Sequence, residues 1–343
     1  MRPFALAARR ALGVAAERRH IAGMTPLSVL DLSTVPLGGT QAQGVRDSIE
    51  VAKAAERLGY KRFWTAEHHS IAHLGSAAPE VLIAALTQVT STIRLGSGGV
   101  MLPNYSPLKV AEVFMELEAL APGRIDLGLG RALGADGITG RALGSATSEV
   151  FPRYFALLSA WMLDASGVEP FPTPHPFQSV KASPSGPSHP DLFLLCSSPD
   201  SARFAGMVGV GMVFAEFIAR ADAAPSVVAY RQAFQPSVYR AEPFAAVATI
   251  ALAADTAEEA ERLAALTPRP PQRPGEPPEG QGFVRRFTGD AAGVRAFLAE
   301  KAAHTGADEL FVLNAGPTLD SKLRSLELIA ETWRAESLPT PVG

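Results

Sequence analysis

From residue 27 to residue 334 the chain alternates between short apolar runs and longer stretches of helical spacing, and this alternation limits the fold more than any other property. The apolar runs fall at 27–32, 61–66, 92–100, 124–130, 191–195, 210–214, 244–253 and 309–313. Helical patterns follow at 41–59, 79–91, 107–121, 199–208, 224–235, 256–266, 290–303 and 318–334. The first carries Val45, Ile49, Ala52, Ala55 and Leu58 and stops at Gly59, a helix-terminating residue. Pro79 and Pro107 stand where first helical turns begin, and Pro122-Gly123 closes the third pattern. A strand that returns through a helix builds a parallel sheet. Eight such strands predict an α/β fold of the (β/α)8 barrel type with loop insertions, the alternative being a doubly wound sheet.

Composition narrows the class. A length of 343 residues admits two ordinary domains or one large barrel. Hydrophobic residues make up 47% and charged residues 19%, which excludes a disordered chain. The net charge of -3, without a Lys/Arg cluster in the body, argues against a nucleic-acid partner. A lone cysteine, Cys196, excludes an internal disulfide framework. No apolar run approaches the ~18 residues of a membrane span. Residues 1–23 differ from the rest: five arginines against Glu17 give +4, leaving -7 for the remainder. Their apolar stretch, 11–16, is too short for a secretory signal, so an N-terminal extension, disordered or loosely helical, and a cytoplasmic protein are expected. One barrel domain is expected over 24–335, with a tail at 336–343. The Pro/Ser-rich stretch 166–190 reads as a loop with a short hairpin, and 268–282 as a mobile excursion.

In a barrel, chemistry gathers at the C-terminal ends of the strands. Here the apolar runs end in Ser33-Thr34, Glu67-His68-His69, Ser97-Gly98-Gly99, Gly130-Arg131, Ser197-Ser198 and Glu216. His68 is a candidate for acid–base work near neutral pH, against the plainer reading of a buried, hydrogen-bonded histidine. Neighbouring residues on a strand face opposite ways, and no H-x-H or H-E-x-x-H spacing occurs, so no metal is expected. Gly98-Gly99 is either a plain turn or a place where backbone approaches a flat ligand. The run 128–131 is not a G-x-G-x-x-G fingerprint, because Leu133 occupies the third glycine position. Arg131 can pair with an anionic or carbonyl-bearing ligand, or be an ordinary solvated arginine. Ser197, Ser198 and Ser201 flank Pro199 at a helix start, which suits either phosphate binding or simple capping.

The segments GYKRFWTAEHH, IRLGSGGVMLPNYSPLKVAEVF and LEALAPGRIDLGLGRAL resemble the bacterial luciferase-like flavin-dependent monooxygenases. So do LFLLCSSPDSARFAGMVGVGMVFA and GADELFVLNAGPTLDSKLRSLELIAE, and the resemblance spans roughly residues 27–335. It implies a TIM barrel, reduced flavin mononucleotide (FMN), molecular oxygen, a flavin hydroperoxide that oxygenates a small organic substrate, and a separate NAD(P)H:flavin reductase. His68 matches the family's catalytic histidine. Gly98-Gly99 match its small pair, where a non-proline cis peptide can lie beneath the flavin. Arg131 matches its flavin-contacting arginine, and Ser197, Ser198 and Ser201 its phosphate loop. Gly130 stands where luciferase itself has a reactive cysteine, which weakens any expectation of light emission. Ser197 replaces a glutamate, which removes a negative charge from the phosphate site. Residues 132–150 and 166–190 are expected to shape the substrate pocket. The excess of Arg over Lys, 25 to 6, fits a GC-rich genome and leans towards antibiotic or polyketide tailoring. A homodimer through the helices at 79–91 and 107–121 is expected from their surplus apolar residues, Ala84, Ala85, Leu86, Val113, Phe114 and Met115. Three other readings stay open: a deazaflavin-dependent dehydrogenase, a non-catalytic flavin binder and a metal-dependent hydrolase.

Overall fold

The computed structural model describes residues 24–219, 221–267 and 286–335. The N-terminal extension, the excursion at 268–282 and the tail at 336–343 all lie outside the described residues. Eight parallel strands close on themselves: β1 (Leu27–Asp31), β2 (Arg62–Thr65), β3 (Arg94–Met101), β4 (Ile125–Gly130), β5 (Asp191–Cys196), β6 (Gly211–Ala215), β7 (Ala245–Ala254) and β9 (Glu309–Asn314). Pairing runs in chain order from β1 to β7, then through β9 back to β1. This is a (β/α)8 TIM barrel, and each of the eight apolar runs is a barrel strand.

Helices return the chain outside the barrel. They are α1 (Gln41–Arg57), α2 (Pro79–Thr87), α3 (Pro107–Leu120), α4 (Gly137–Ala142), α5 (Phe151–Ala165), α6 (Pro199–Met207), α7 (Glu216–Ala219), α8 (Ala224–Ala233), α9 (Ala257–Ala265), α10 (Ala291–Thr305) and α11 (Leu319–Ala335). Three details depart from the sequence reading. A ninth strand, β8 (Arg286–Asp290), pairs only with the end of β7, at Ile250–Ala254. Its sequence RFTGD lacks the alternation that marks a strand. Helix α5 fills a stretch to which no helix was assigned, although Phe151, Phe155, Leu158 and Met162 are spaced for one buried face. The hairpin expected within 166–190 does not form; its proline-rich backbone carries turns and bends only.

Two apolar clusters hold the fold. The larger lies between sheet and helices. The smaller fills the barrel: Leu30, Trp64, Phe193, Val213, Ala246, Ala248 and Phe311. Trp64 is its centre, with ring centroids 4.6 Å from Phe311 and 5.0 Å from Phe193. The inward positions beside it on β3 and β4 are glycines. A Cβ at Gly128 would come within 3.2 Å of the indole and 2.1 Å of a carbonyl oxygen. Below Trp64, towards the N-terminal mouth, Arg62 bonds Asp126 at 2.8 Å and Glu309 at 3.0 Å. The indole N–H donates to the same Asp126 at 2.9 Å. These buried charges satisfy one another, the condition under which their desolvation is tolerated.

A methyl group on Gly96 would lie 2.5 Å from Trp64 Nε1 and 2.7 Å from Asp126 Cβ. Gly96→Ala is therefore expected to cost about 1–3 kcal/mol by overpacking. Gly137 has open space around it, so Gly137→Ala is expected to stay within about 0.5 kcal/mol of the parent. Denaturant midpoints of the two variants check this, and equal midpoints would contradict the packing described.

Candidate active site

The sequence-selected residues follow four neighbouring strands and lie at one end of the barrel. His68 comes after β2, Gly98 and Gly99 lie in β3, Arg131 follows β4, and Ser197, Ser198 and Ser201 follow β5. The floor beneath them is the Trp64 cluster. Leu32, Leu195 and Phe217 pack on that cluster from the ends of β1, β5 and β6 while remaining partly exposed. They give the mouth an apolar wall.

The Gly98–Gly99 peptide is cis, and the β3–β4 register shifts at this point, between Gly98 and Val100. Neither glycine tolerates a side chain: a Cβ on Gly98 would lie 2.5 Å from Leu30 Cδ1, and one on Gly99 2.8 Å from the Gly128 carbonyl oxygen. Both glycines are buried and leave the backbone here without side chains.

His68 is partly buried, and its Nδ1 is enclosed without a hydrogen-bond partner. Burial pushes its pKa down to about 4, with His69 and His73 acting in the same direction. It is neutral at pH 7. His69 points elsewhere: its Nε2 lies 2.8 Å from the fully buried Glu67 carboxylate. Arg131 is exposed and makes no hydrogen bond or ion pair among the described residues.

At the start of α6 the capping reading is realised. Ser198 Oγ accepts from Ser201 N at 3.3 Å, and Ser201 Oγ accepts from Ser198 N at 3.2 Å. Ser201 is thus not surplus; its hydroxyl donates to the Ser198 carbonyl at 2.8 Å. Ser197 alone keeps an exposed hydroxyl without a partner, and its N–H reaches Ser201 Oγ at 3.3 Å. Asp200 points outward and pairs with Arg203 at 2.7 Å. Next to this loop, burial pushes the Cys196 thiol up to about 12, leaving it inert.

Two rim candidates are placed elsewhere. Glu216 is fully buried on the outer side of β6, where Lys301 of α10 pairs with it at 3.0 Å. Ser33 is buried, adopts a left-handed φ of 49° and bonds Ser48 at 2.8 Å, so it shapes the first loop. The sequence reading also passed over Asn104 and Tyr105, which donate to Glu67 at 2.9 and 3.0 Å. Their one sequence signal was a pair of polar side chains next to an apolar strand end. Among the described residues, no three His, Cys, Asp or Glu are grouped to hold a metal ion, and no helix is long and apolar enough to cross a membrane.

The low pKa of His68 has a consequence for stability. Between about pH 6.5 and pH 4 the unfolded chain binds this proton and the folded chain does not. Acidification through that window should remove stability, by at most about 3 kcal/mol from this group. Chemical unfolding of the parent and of His68→Asn across that range checks it. Identical pH slopes for the two proteins would mean an imidazole in solvent.

Comparisons with known proteins show the family and the fold. The model of the luciferase-like monooxygenase family matches residues 25–310. The protein YvbT of Bacillus subtilis is 38% identical over 334 residues, covering 90% of this chain and 97% of its own. The N-acetyl-S-alkylcysteine monooxygenase of the same organism is 41% identical over 195 residues, 57% of this chain and 58% of its own. The crystal structure of apo-MsnO8 superposes with a TM-score of 0.80 at 35% identity, covering 92% of this chain and 100% of its own. The fold alone is shared with the FMN complex of a 3,6-diketocamphane monooxygenase component from Pseudomonas putida, at 19% identity and a TM-score of 0.70. It is shared likewise with an F420-dependent secondary alcohol dehydrogenase, at 15% identity and a TM-score of 0.64.

Proposed function

Because the chain belongs to the luciferase-like monooxygenase family, we propose that it uses reduced FMN and molecular oxygen to oxygenate a small organic substrate. The observation that carries this reading is the grouping on strands β2 to β5. Side-chain-free backbone at Gly98–Gly99, an enclosed imidazole nitrogen without a partner, an unpaired guanidinium and a serine-lined helix start occupy one end of the barrel. A planar ring system with a phosphate tail fits that set.

Reduced FMN, when bound, supplies the oxygen chemistry: one atom of O2 enters the substrate and the other leaves as water. The chain's own residues bind, orient and exclude water. The 98–99 backbone lets a flat ring approach without obstruction. Arg131 pairs with negative charge on the ring edge. The Ser197 and Ser198 hydroxyls at the start of α6 would hold the phosphate, while Ser201 holds the loop. His68, neutral at pH 7, would accept or return a proton. Leu32, Leu195 and Phe217 keep the mouth dry. As the family resemblance implies, a separate NAD(P)H:flavin reductase would supply the reduced flavin. The substrate belongs to secondary metabolism on this reading, and the protein works in the cytoplasm.

Turnover under labelled dioxygen, with reductase-supplied reduced FMN and a panel of thioethers, aldehydes, ketones and phenols, tests the proposal. The expected result is one labelled oxygen per product molecule. Oxidation of an alcohol with F420 and no oxygen uptake would replace it with the deazaflavin reading. Flavin binding with no turnover on any substrate class would leave a binding protein.

The chain is further proposed to form a homodimer through α2 and α3. Leu86, Phe114 and Met115, counted as surplus in the sequence, are core residues of the protomer. Val81 and Val89 remain 67% and 43% exposed on one stripe with Ala85, and Leu120 is 55% exposed nearby. A dimer in solution that Val81→Glu with Val89→Glu converts to monomers is expected by light scattering. A monomeric parent at micromolar concentration would refute the pairing.

A further inference from the structure

Glu67 is fully buried, yet among the described residues no Arg or Lys meets its carboxylate. Its carboxylate is held by four other contacts instead. Oε2 accepts from Met101 N at 2.8 Å. Oε1 accepts from Asn104 Nδ2 at 2.9 Å and Tyr105 OH at 3.0 Å, with His69 Nε2 at 2.8 Å. Asn104 extends the network. Its second amide hydrogen goes to the Leu133 carbonyl at 3.1 Å, and its Oδ1 accepts from Ser145 Oγ at 2.6 Å. Backbone bonds run in parallel: His69 N donates to Gly134 O at 3.0 Å, and Ala146 N to Pro103 O at 2.9 Å. One carboxylate thus ties together the segments that follow β2, β3 and β4.

Burying a carboxylate without a cationic partner is costly unless every lone pair is used. What Glu67 adds is direction. It makes Nε2 of His69 the donor and fixes both faces of the Asn104 amide, and so the path of 133–146. Arg131 sits ahead of that path, directly after the strand. We propose that Glu67 is a positioning residue which, through Asn104 and His69, sets the conformation of 133–146 and thereby the affinity for the organic substrate, touching neither substrate nor cofactor. The proposal rests on the functional reading above in taking this segment as a wall of the substrate pocket.

Asn104→Ala severs the relay and leaves Glu67 with Met101, Tyr105 and His69; Ser145→Ala removes only the far link. Glu67→Gln turns an amide donor towards the Met101 N–H or the Oε1 cluster, and Asn104→Ala carries the test if that variant does not fold. Hydrogen exchange on the protein without flavin needs no turnover. Protection of amides in 133–146 should fall about tenfold or more in Asn104→Ala and less in Ser145→Ala, with the barrel strands unchanged. In turnover, KM for the organic substrate should rise about tenfold, with kcat and the Kd for reduced FMN each within about threefold. Unchanged exchange in 133–146 overturns the proposal, and so does a loss of FMN affinity in step with KM, or a fall in kcat at constant KM. If the parent oxygenates nothing but the exchange result holds, the functional reading fails and the positioning role stands.

Discussion

Trp64 fills the centre of the barrel, and the neighbouring strands are built around it. The indole leaves no room for a side chain at Gly96 on β3, while Leu30 closes the space at Gly98 and the Ser97 carbonyl oxygen that at Gly128. Its N–H needs a buried acceptor, which Asp126 provides, and Asp126 in turn needs Arg62 and Arg94. A run that superficially resembles a nucleotide-binding loop is therefore a packing solution. The same run of small residues continues past the indole to the strand ends, at Gly98, Gly99 and Gly130.

The charges divide into two sets with different duties. Towards the N-terminal mouth, Arg62, Asp126 and Glu309 neutralise one another beneath Trp64. At the C-terminal end, among the described residues, His68 Nδ1 has no partner, Arg131 is exposed, and Glu67 is held by Met101 N, Asn104, Tyr105 and His69. A site that receives an anionic, planar ligand needs donors not already committed to protein. Among the described residues that condition is met by Arg131 and by the Ser197 hydroxyl.

Much of the fold was legible because a parallel barrel writes each strand as a continuous apolar run and each return as a helical period. Strand β8 was illegible, since RFTGD is short, carries Phe287 as its one large apolar side chain, and its pairing depends on the overhang of β7. Helix α5 was legible in principle from the spacing of Phe151, Phe155, Leu158 and Met162. In the site, residue type and position at a strand end picked out His68, Arg131 and the serines. They could not separate Ser201, which spends its hydroxyl on a cap, from Ser197, which does not. Nor could they show that Glu216 faces Lys301 rather than the mouth, or that Glu67 gathers donors from a strand end 34 to 38 residues away. Those outcomes depend on which side of the strand a residue takes and on what the next strand brings to it.

The central claim is that this end of the barrel holds a flavin by its phosphate, and anaerobic titration with reduced FMN and reduced riboflavin measures it directly. Hydrogen bonds to a charged group are worth about 1.5–3 kcal/mol each, so FMN should bind on the order of 100-fold more tightly than riboflavin. Ser197→Ala, which disturbs no cap, should reduce FMN affinity about tenfold and leave riboflavin unchanged. Equal affinity of the parent for the two ligands would contradict the account.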